Sequence, residues 1–252
     1  MRSLLFSLLF LLLATFSAGA ADPISLSDAT FLVEEAFRAD APVLQHAFGF
    51  SERAWNYTLT HEWAGTSPHL VGYSVPLELG ERGGEVALGA ASLDYRYQAG
   101  GRDEDVFGFA PRMSLIVPLT SGAATGVAVS APLTVRHGSR VASHWNVGGS
   151  WTPEHDSIAS REAFAGAAIA RVLNQRTVGV VEATVTWTQE IFDGSPASRS
   201  RAIVVSPGIR RAIDVAGYRL VPGIAIPLTI EGGDRSLDVA FHVMFENALL
   251  GD

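Results

Sequence analysis

His144, Asn146 and Ser150, in the stretch "HWNVGGSWTP", are the residues with the most reactive combination of types in the chain. A serine nucleophile, a histidine base and an amide to orient the base would make a hydrolytic set. Their spacing argues against it. Alternate residues along one strand share a face, but they are not thereby a hydrogen-bonded nucleophile and base. His137, Gly138 and Ser139 fit a turn. His61 falls on an apolar face near a strand end, where a ring at a membrane interface needs no further role. No nucleophile motif and no metal-ligand spacing occurs, and there is no cysteine. The sequence therefore offers no catalytic residue, no metal site and no cofactor.

The ionisable residues fall into a different pattern. Asp94, Arg96, Arg112, Arg136, His144, Glu182, Glu190, Arg210, Asp238 and His242 all occupy polar faces of alternating segments, several of them in mid-segment. Buried charges must pair or stay wet. Two outcomes follow: cross-strand ion pairs that fill a narrow barrel, or a constricted, mildly cation-favouring pore, because acids outnumber arginines on these faces. Arg112 and Arg210 are expected opposite Glu182 and Glu190.

The elements that hold these charges are legible from period-two alternation. In "WNYTLTHEW" (55–63), Trp55, Tyr57, Leu59 and Trp63 share one side, and Asn56, Thr58, Thr60 and Glu62 the other. Similar patterns predict twelve strands at 43–50, 55–63, 69–79, 86–98, 107–119, 125–136, 140–151, 161–173, 177–190, 200–211, 218–230 and 236–246. The facing of the Ala-rich eighth is ambiguous. Most are longer than the about 5–6 residues of a soluble strand and match the about 9–11 that a tilted strand needs to cross a bilayer. Trp55, Trp63, Tyr95, Tyr97, Trp145, Trp151 and Trp187 collect near strand ends, as lipid-facing girdles do. Gly72, Gly108, Gly148, Gly208 and Gly223 lie on polar sides, where a concave lumen wall gains room from them. The expected fold is all-β: an up-and-down antiparallel transmembrane β-barrel of about 12 strands with a short N-terminal helix.

The remaining chain frames that barrel. Residues 1–21 read as a cleaved signal peptide, with Arg2, an apolar run from Leu4 to Leu13, and Ala18 and Ala20 before the cut. Residues 22–40 read as a periplasmic or plug segment. In it a short amphipathic helix carries Phe31, Leu32, Ala36 and Phe37 on one side, with Ser27 or Asp28 as the cap. Residues 41–252 are the barrel. The loops at 152–160 and 191–199 are expected to be long and extracellular. All 18 basic residues are arginine and net charge is -8, which argues against a nucleic-acid partner. The partners expected are the outer-membrane bilayer and a small solute. Two other classes share the alternation: a soluble or surface-associated β-barrel binding module, and an outer-membrane lipid-acting enzyme.

Several pieces taken in order, "LVEEAF" with "APVLQHAFGF", "LDYRYQ", "FAPRMSLIVPL", "HWNVGGSWTP" and "VVSPGIRRAIDVAGYRLVPGIAIPL", resemble a Gram-negative family of exported β-barrels labelled transporter-like or "meta-pathway of phenol degradation". The resemblance implies an outer-membrane barrel that passes or binds small molecules, including small hydrophobic or aromatic compounds. It supplies no catalytic residues. The chain departs from the usual barrel ending, since Phe245 is followed by "ENALLGD" rather than closing the sequence.

Overall fold

The computed structural model describes residue 26 and residues 30–37, 43–50, 55–63, 68–79, 86–101, 105–119, 124–155, 158–192, 197–215 and 218–247. The expected signal segment, 1–21, and the tail after Asn247 lie outside the described residues.

Alternation becomes twelve strands. β1 is Val43–Phe50, β2 Trp55–Trp63 and β3 His69–Leu79. β4 runs through Val86–Leu88 and Ala90–Tyr97, β5 through Phe107–Phe109 and Arg112–Pro118, and β6 through Gly126–Ser130 and Leu133–Arg136. β7 is Val141–His155, β8 Ile158–Asn174 and β9 Thr177–Phe192. β10 is Ser198–Arg211 with Ile213–Val215, β11 Tyr218–Ala225 with Leu228–Glu231, and β12 Asp234–Leu237 with Val239–Asn247. Each strand pairs antiparallel with the next, and β12 returns to β1 through pairs such as His46↔Val243 and Phe48↔Phe241. Closure leaves no edge strand among the described residues.

Proline stands at three of the interruptions within strands. Pro111, Pro132 and Pro227 have no N–H to give a ladder. Their carbonyls still accept across the breaks: Tyr97 N donates to Pro111 O at 3.0 Å, Ala110 N to Pro132 O at 3.2 Å and Asp238 N to Pro227 O at 3.0 Å. The β11–β12 hairpin turns on Gly232 and Gly233, both at positive φ (59° and 98°), which a two-residue turn of this hand requires.

The question of which face is inside has a clear answer. Val71, Leu93, Met113, Val129, Val147, Ile169 and Val181 are each more than half exposed on the outer wall. Asp94, Thr134, His144, Asn146, Glu182, Ser206, Arg210 and His242 are buried inside it. A soluble barrel would reverse this, because water does not tolerate an apolar band of that extent. β8 resolves in the same sense: Ala168 and Ala170 point inward and Ile169 outward.

Aromatic rings stand on the outer wall near the strand ends. At the mouth where β1 begins and β12 ends, His61, Trp63 and Tyr73 cluster, and His69 Nδ1 lies 2.6 Å from the Tyr95 hydroxyl beside Tyr97. Trp145 faces outward in the same half of β7, while Trp151 and Trp187 lie toward the opposite mouth; all three are exposed. Trp55 opens β2, and its side chain lies outside the described set.

Two expectations need correction. Strand takes up much of the expected loop at 152–160 and both ends of that at 191–199: β7 continues to His155, β8 starts at Ile158, β9 reaches Phe192 and β10 starts at Ser198, while 156–157 and 193–196 lie outside the described residues. Pairs such as Thr152↔Ser160 and Ser160↔Glu190 extend the ladders past the apolar band, so polar composition there marks strand leaving hydrocarbon rather than chain leaving strand. The second concerns the N-terminal helix. Residues 30–37 are irregular, and they lie inside the barrel.

Candidate functional site: the lumen and the segment within it

Wall side chains take up the backbone groups of residues 30–37, which explains why no helix forms there. Glu182, on β9, accepts N–H bonds from Phe31 (3.0 Å), Leu32 (2.8 Å) and Val33 (2.9 Å). Ala36 N donates to Thr134 Oγ1 at 2.9 Å. Arg96 Nη2 donates to the carbonyls of Glu35 (2.7 Å) and Phe37 (2.8 Å), and Arg210 Nη2 to that of Thr30. Buried backbone polar groups must find partners; here the partners are in the barrel wall, more than fifty residues away in sequence. Each guanidinium is a fixed fork of donors, suited to holding such carbonyls.

Side chains of the segment seat against wall glycines. A Cβ at Gly208 would come within 2.6 Å of Phe31, and one at Gly108 within 2.7 Å of Phe37. Each ring also lies against an arginine: Arg210 is 4.4 Å from the Phe31 ring centre, and Arg136 is 4.8 Å from that of Phe37. Toward the mouth where β1 begins, the interior becomes apolar. Leu26 and Val33 pack with Ala142, Ala168, Ala170, Val178, Val180 and Val221.

A charged cluster fixes the remaining side. Arg112 Nη2 is 2.8 Å from Asp94 Oδ2, and Arg112 Nη1 binds Glu34. Asp94 also accepts from Ser92 (2.9 Å) and Ser114 (2.5 Å), and Glu34 from Ser130 (2.7 Å). Arg96 reaches Glu62 at 3.8 Å. A cavity of about 250 Å³ lies between this cluster and the segment, lined by Glu34, Glu62, Asp94, Arg96, Arg112 and Arg210 among others.

The residues expected from sequence are not one cluster. Asp94, Arg96 and Arg112 share that cavity. Glu182, Arg210 and His242 form a second group around Thr30 and Phe31, where Arg210 Nη2 also meets His242 Nδ1. Arg136 and His144 lie near Phe37 and Ala36: His144 Nδ1 is 3.0 Å from Thr134 Oγ1, so its bond goes to the residue that holds Ala36 rather than to Ser150. Asp238 is half-buried on another wall, and Glu190 is exposed toward the end of β9. Arg112 therefore faces Asp94 and Glu34, not Glu182 or Glu190 as expected, because β5 lies next to β4 and far around the barrel from β9. Glu34, Thr134 and Ser206 were not singled out by sequence reasoning. Glycines on polar sides were the available signal for the seats, but nothing in them names the rings that fill them.

No family model matches this chain, and no curated protein matches its sequence. Solved structures do match. The NanC porin aligns with a TM-score of 0.53 at 10% identity, over 83% of this chain and 100% of that one. The KdgM porin, solved in complex with disordered oligogalacturonate, gives 0.54 at 7% identity, over 82% and 99%. LpxR from Salmonella typhimurium gives 0.50 at 6% identity, over 81% and 99%. The fold is that of the outer-membrane barrels. At these identities the likeness concerns the fold alone.

Proposed function

We propose that this protein is an outer-membrane channel for small solutes whose lumen is narrowed by residues 30–37, the N-terminal plug of the barrel. One observation carries the reading: a closed barrel with an apolar outer band and a polar interior encloses a segment of its own chain, with water-sized space on either side of it. Porin-fold neighbours and the resemblance to the transporter-like "meta-pathway of phenol degradation" family support it, and the latter favours small hydrophobic or aromatic solutes. The cluster of Asp94, Arg112 and Glu34 then sets ion preference in the constriction.

Purified protein in planar bilayers tests this. Discrete conductance steps are expected, and Arg112→Glu should increase cation preference by removing the cation between Asp94 and Glu34. A chain lacking residues 30–37 should conduct more per step. A heat-modifiable barrel that inserts but gives no steps, with and without those residues, overturns the proposal.

A further inference from the structure

Toward the mouth opposite the chain ends, the outer wall of β7–β10 changes character in three steps, and register sets them. Val147, Ala165, Val185 and Ile203 stand side by side on the four strands. Two residues farther along, the row is Gly149, Ala163, Trp187 and Arg201. Two residues beyond that, it is Trp151, Arg161, Gln189 and Arg199. All these positions share the outward face, because side chains alternate along a strand. Both tryptophans and all three arginines are exposed.

Tryptophan settles at the level of lipid headgroups. Arg201 pairs with Trp187 and Arg161 with Trp151, so the guanidinium groups are held at that level or just past it. Two strand spacings put Arg161 ~10 Å from Arg199, and two residues put Arg199 ~7 Å from Arg201, measured along the backbone. None of the three makes an ion pair or a side-chain hydrogen bond among the described residues. Glu162 and Glu190, their acidic neighbours, occupy the alternate, inward positions. No acid stands on an outward position in this half of β7–β10 among the described residues. The chain as a whole has a net charge of -8, so the patch is basic against an acidic background. Cations this close repel one another, and an anion among them relieves the repulsion. Guanidinium forks match the oxygens of a phosphate.

Position names the source of that anion. Outer-membrane barrels keep short turns on the periplasmic side and longer hairpins outside. β7–β10, at 14–17 residues the longest unbroken strands among those described, outrun the apolar band at this mouth. The patch therefore meets the outer leaflet.

We propose that this face binds lipopolysaccharide, the lipid of the outer leaflet, by the phosphorylated disaccharide of its headgroup. Arg161, Arg199 and Arg201 take the phosphate oxygens. Trp151 and Trp187 lie against the sugars, and the acyl chains run down over Val185 and Ile203. The site is on the outside of the barrel and does not depend on whether the lumen conducts.

Native mass spectrometry of the full-length, delipidated barrel in detergent tests this, with diphosphoryl lipid A, its monophosphoryl form and phosphatidylglycerol as probes. The diphosphoryl form should bind tightest and phosphatidylglycerol weakest. Replacing all three arginines by glutamine should weaken diphosphoryl lipid A about tenfold, as the loss of three exposed ion pairs implies. Arg171→Gln is the matched control: it removes an exposed outward arginine from β8 at the opposite mouth, and affinity should hold. If the triple variant loses heat-modifiable mobility, Arg161→Gln and Arg201→Gln singly should each weaken binding about twofold. The proposal is overturned by native affinity in the triple variant or in both single ones. An equal loss in Arg171→Gln, or phosphatidylglycerol bound as tightly as diphosphoryl lipid A, also overturns it, since either marks general adhesion to anionic lipid.

Discussion

Glu182→Ala is the perturbation that most directly tests how the inserted segment is held. The carboxylate has no exposed surface and accepts from three consecutive amides, Phe31, Leu32 and Val33. A hydrogen bond to a charged group contributes about 1.5–3 kcal/mol. The gross loss is therefore ~4–9 kcal/mol by that figure. Water that enters the space left by the side chain re-solvates the amides, which brings the net loss to roughly 3 kcal/mol. At 1.4 kcal/mol per factor of ten, amide exchange at residues 31–33 should quicken about 100-fold if it proceeds by local release of the segment. Hydrogen exchange with mass spectrometry, on protein in nanodiscs, reads this directly. Glu182→Gln retains one acceptor oxygen, and a single oxygen, Oε1, already takes Leu32 and Val33. Its effect should be about tenfold or less by the same arithmetic. Glu190→Ala, at an exposed position on the same strand, should change nothing. If Glu182→Ala keeps its barrel and its exchange at 31–33 stays within about twofold of the native rate, the carboxylate does not anchor the segment and the reasoning fails.

Other substitutions probe the neighbouring contacts. Gly208→Val places a branched side chain where even a Cβ would lie 2.6 Å from Phe31, so it should displace that ring and lower barrel stability by about 1–3 kcal/mol, read by urea unfolding in liposomes. Leu115→Arg puts a charge on the outer wall, where Leu115 is 42% exposed between Leu93 and Val127; it should cost about 2–4 kcal/mol in the same assay, and a neutral result would place that face outside hydrocarbon. Arg96→Met removes the donor to two carbonyls of the segment and should raise protease cleavage after Phe37 without altering heat-modifiable mobility.

The barrel was legible because a lipid-facing strand obeys a strict rule. β2 and β3 begin and end where alternation begins and ends, at 55–63 and 69–79. The rule weakens where its physical cause does. Beyond the hydrocarbon, Thr152 and Ser160 pair as strand with no apolar face to announce it. At the mouth where β1 begins, Val178 and Val180 turn inward to meet Leu26, so an inward face reads as apolar. The N-terminal segment misled for another reason. Phe31, Leu32, Ala36 and Phe37 do have helical spacing, but three of its amides are taken by Glu182, about 150 residues distant, and no local pattern records that competition. Likewise the polar-side charges were identifiable one by one, while their partners depend on which strands become neighbours.

The short stretch of chain between Phe37 and Val43 has one more implication. The six Cα-to-Cα steps from Phe37 to Val43 reach at most ~21 Å at ~3.5 Å each, and β1 is locked on both sides, by β2 and by β12. Should the anchors let go, the segment remains leashed to the rim of its own cylinder. On the plug reading proposed above, each barrel then carries its own blocker at high local concentration, like a bath stopper on a chain, with no diffusing one to recruit.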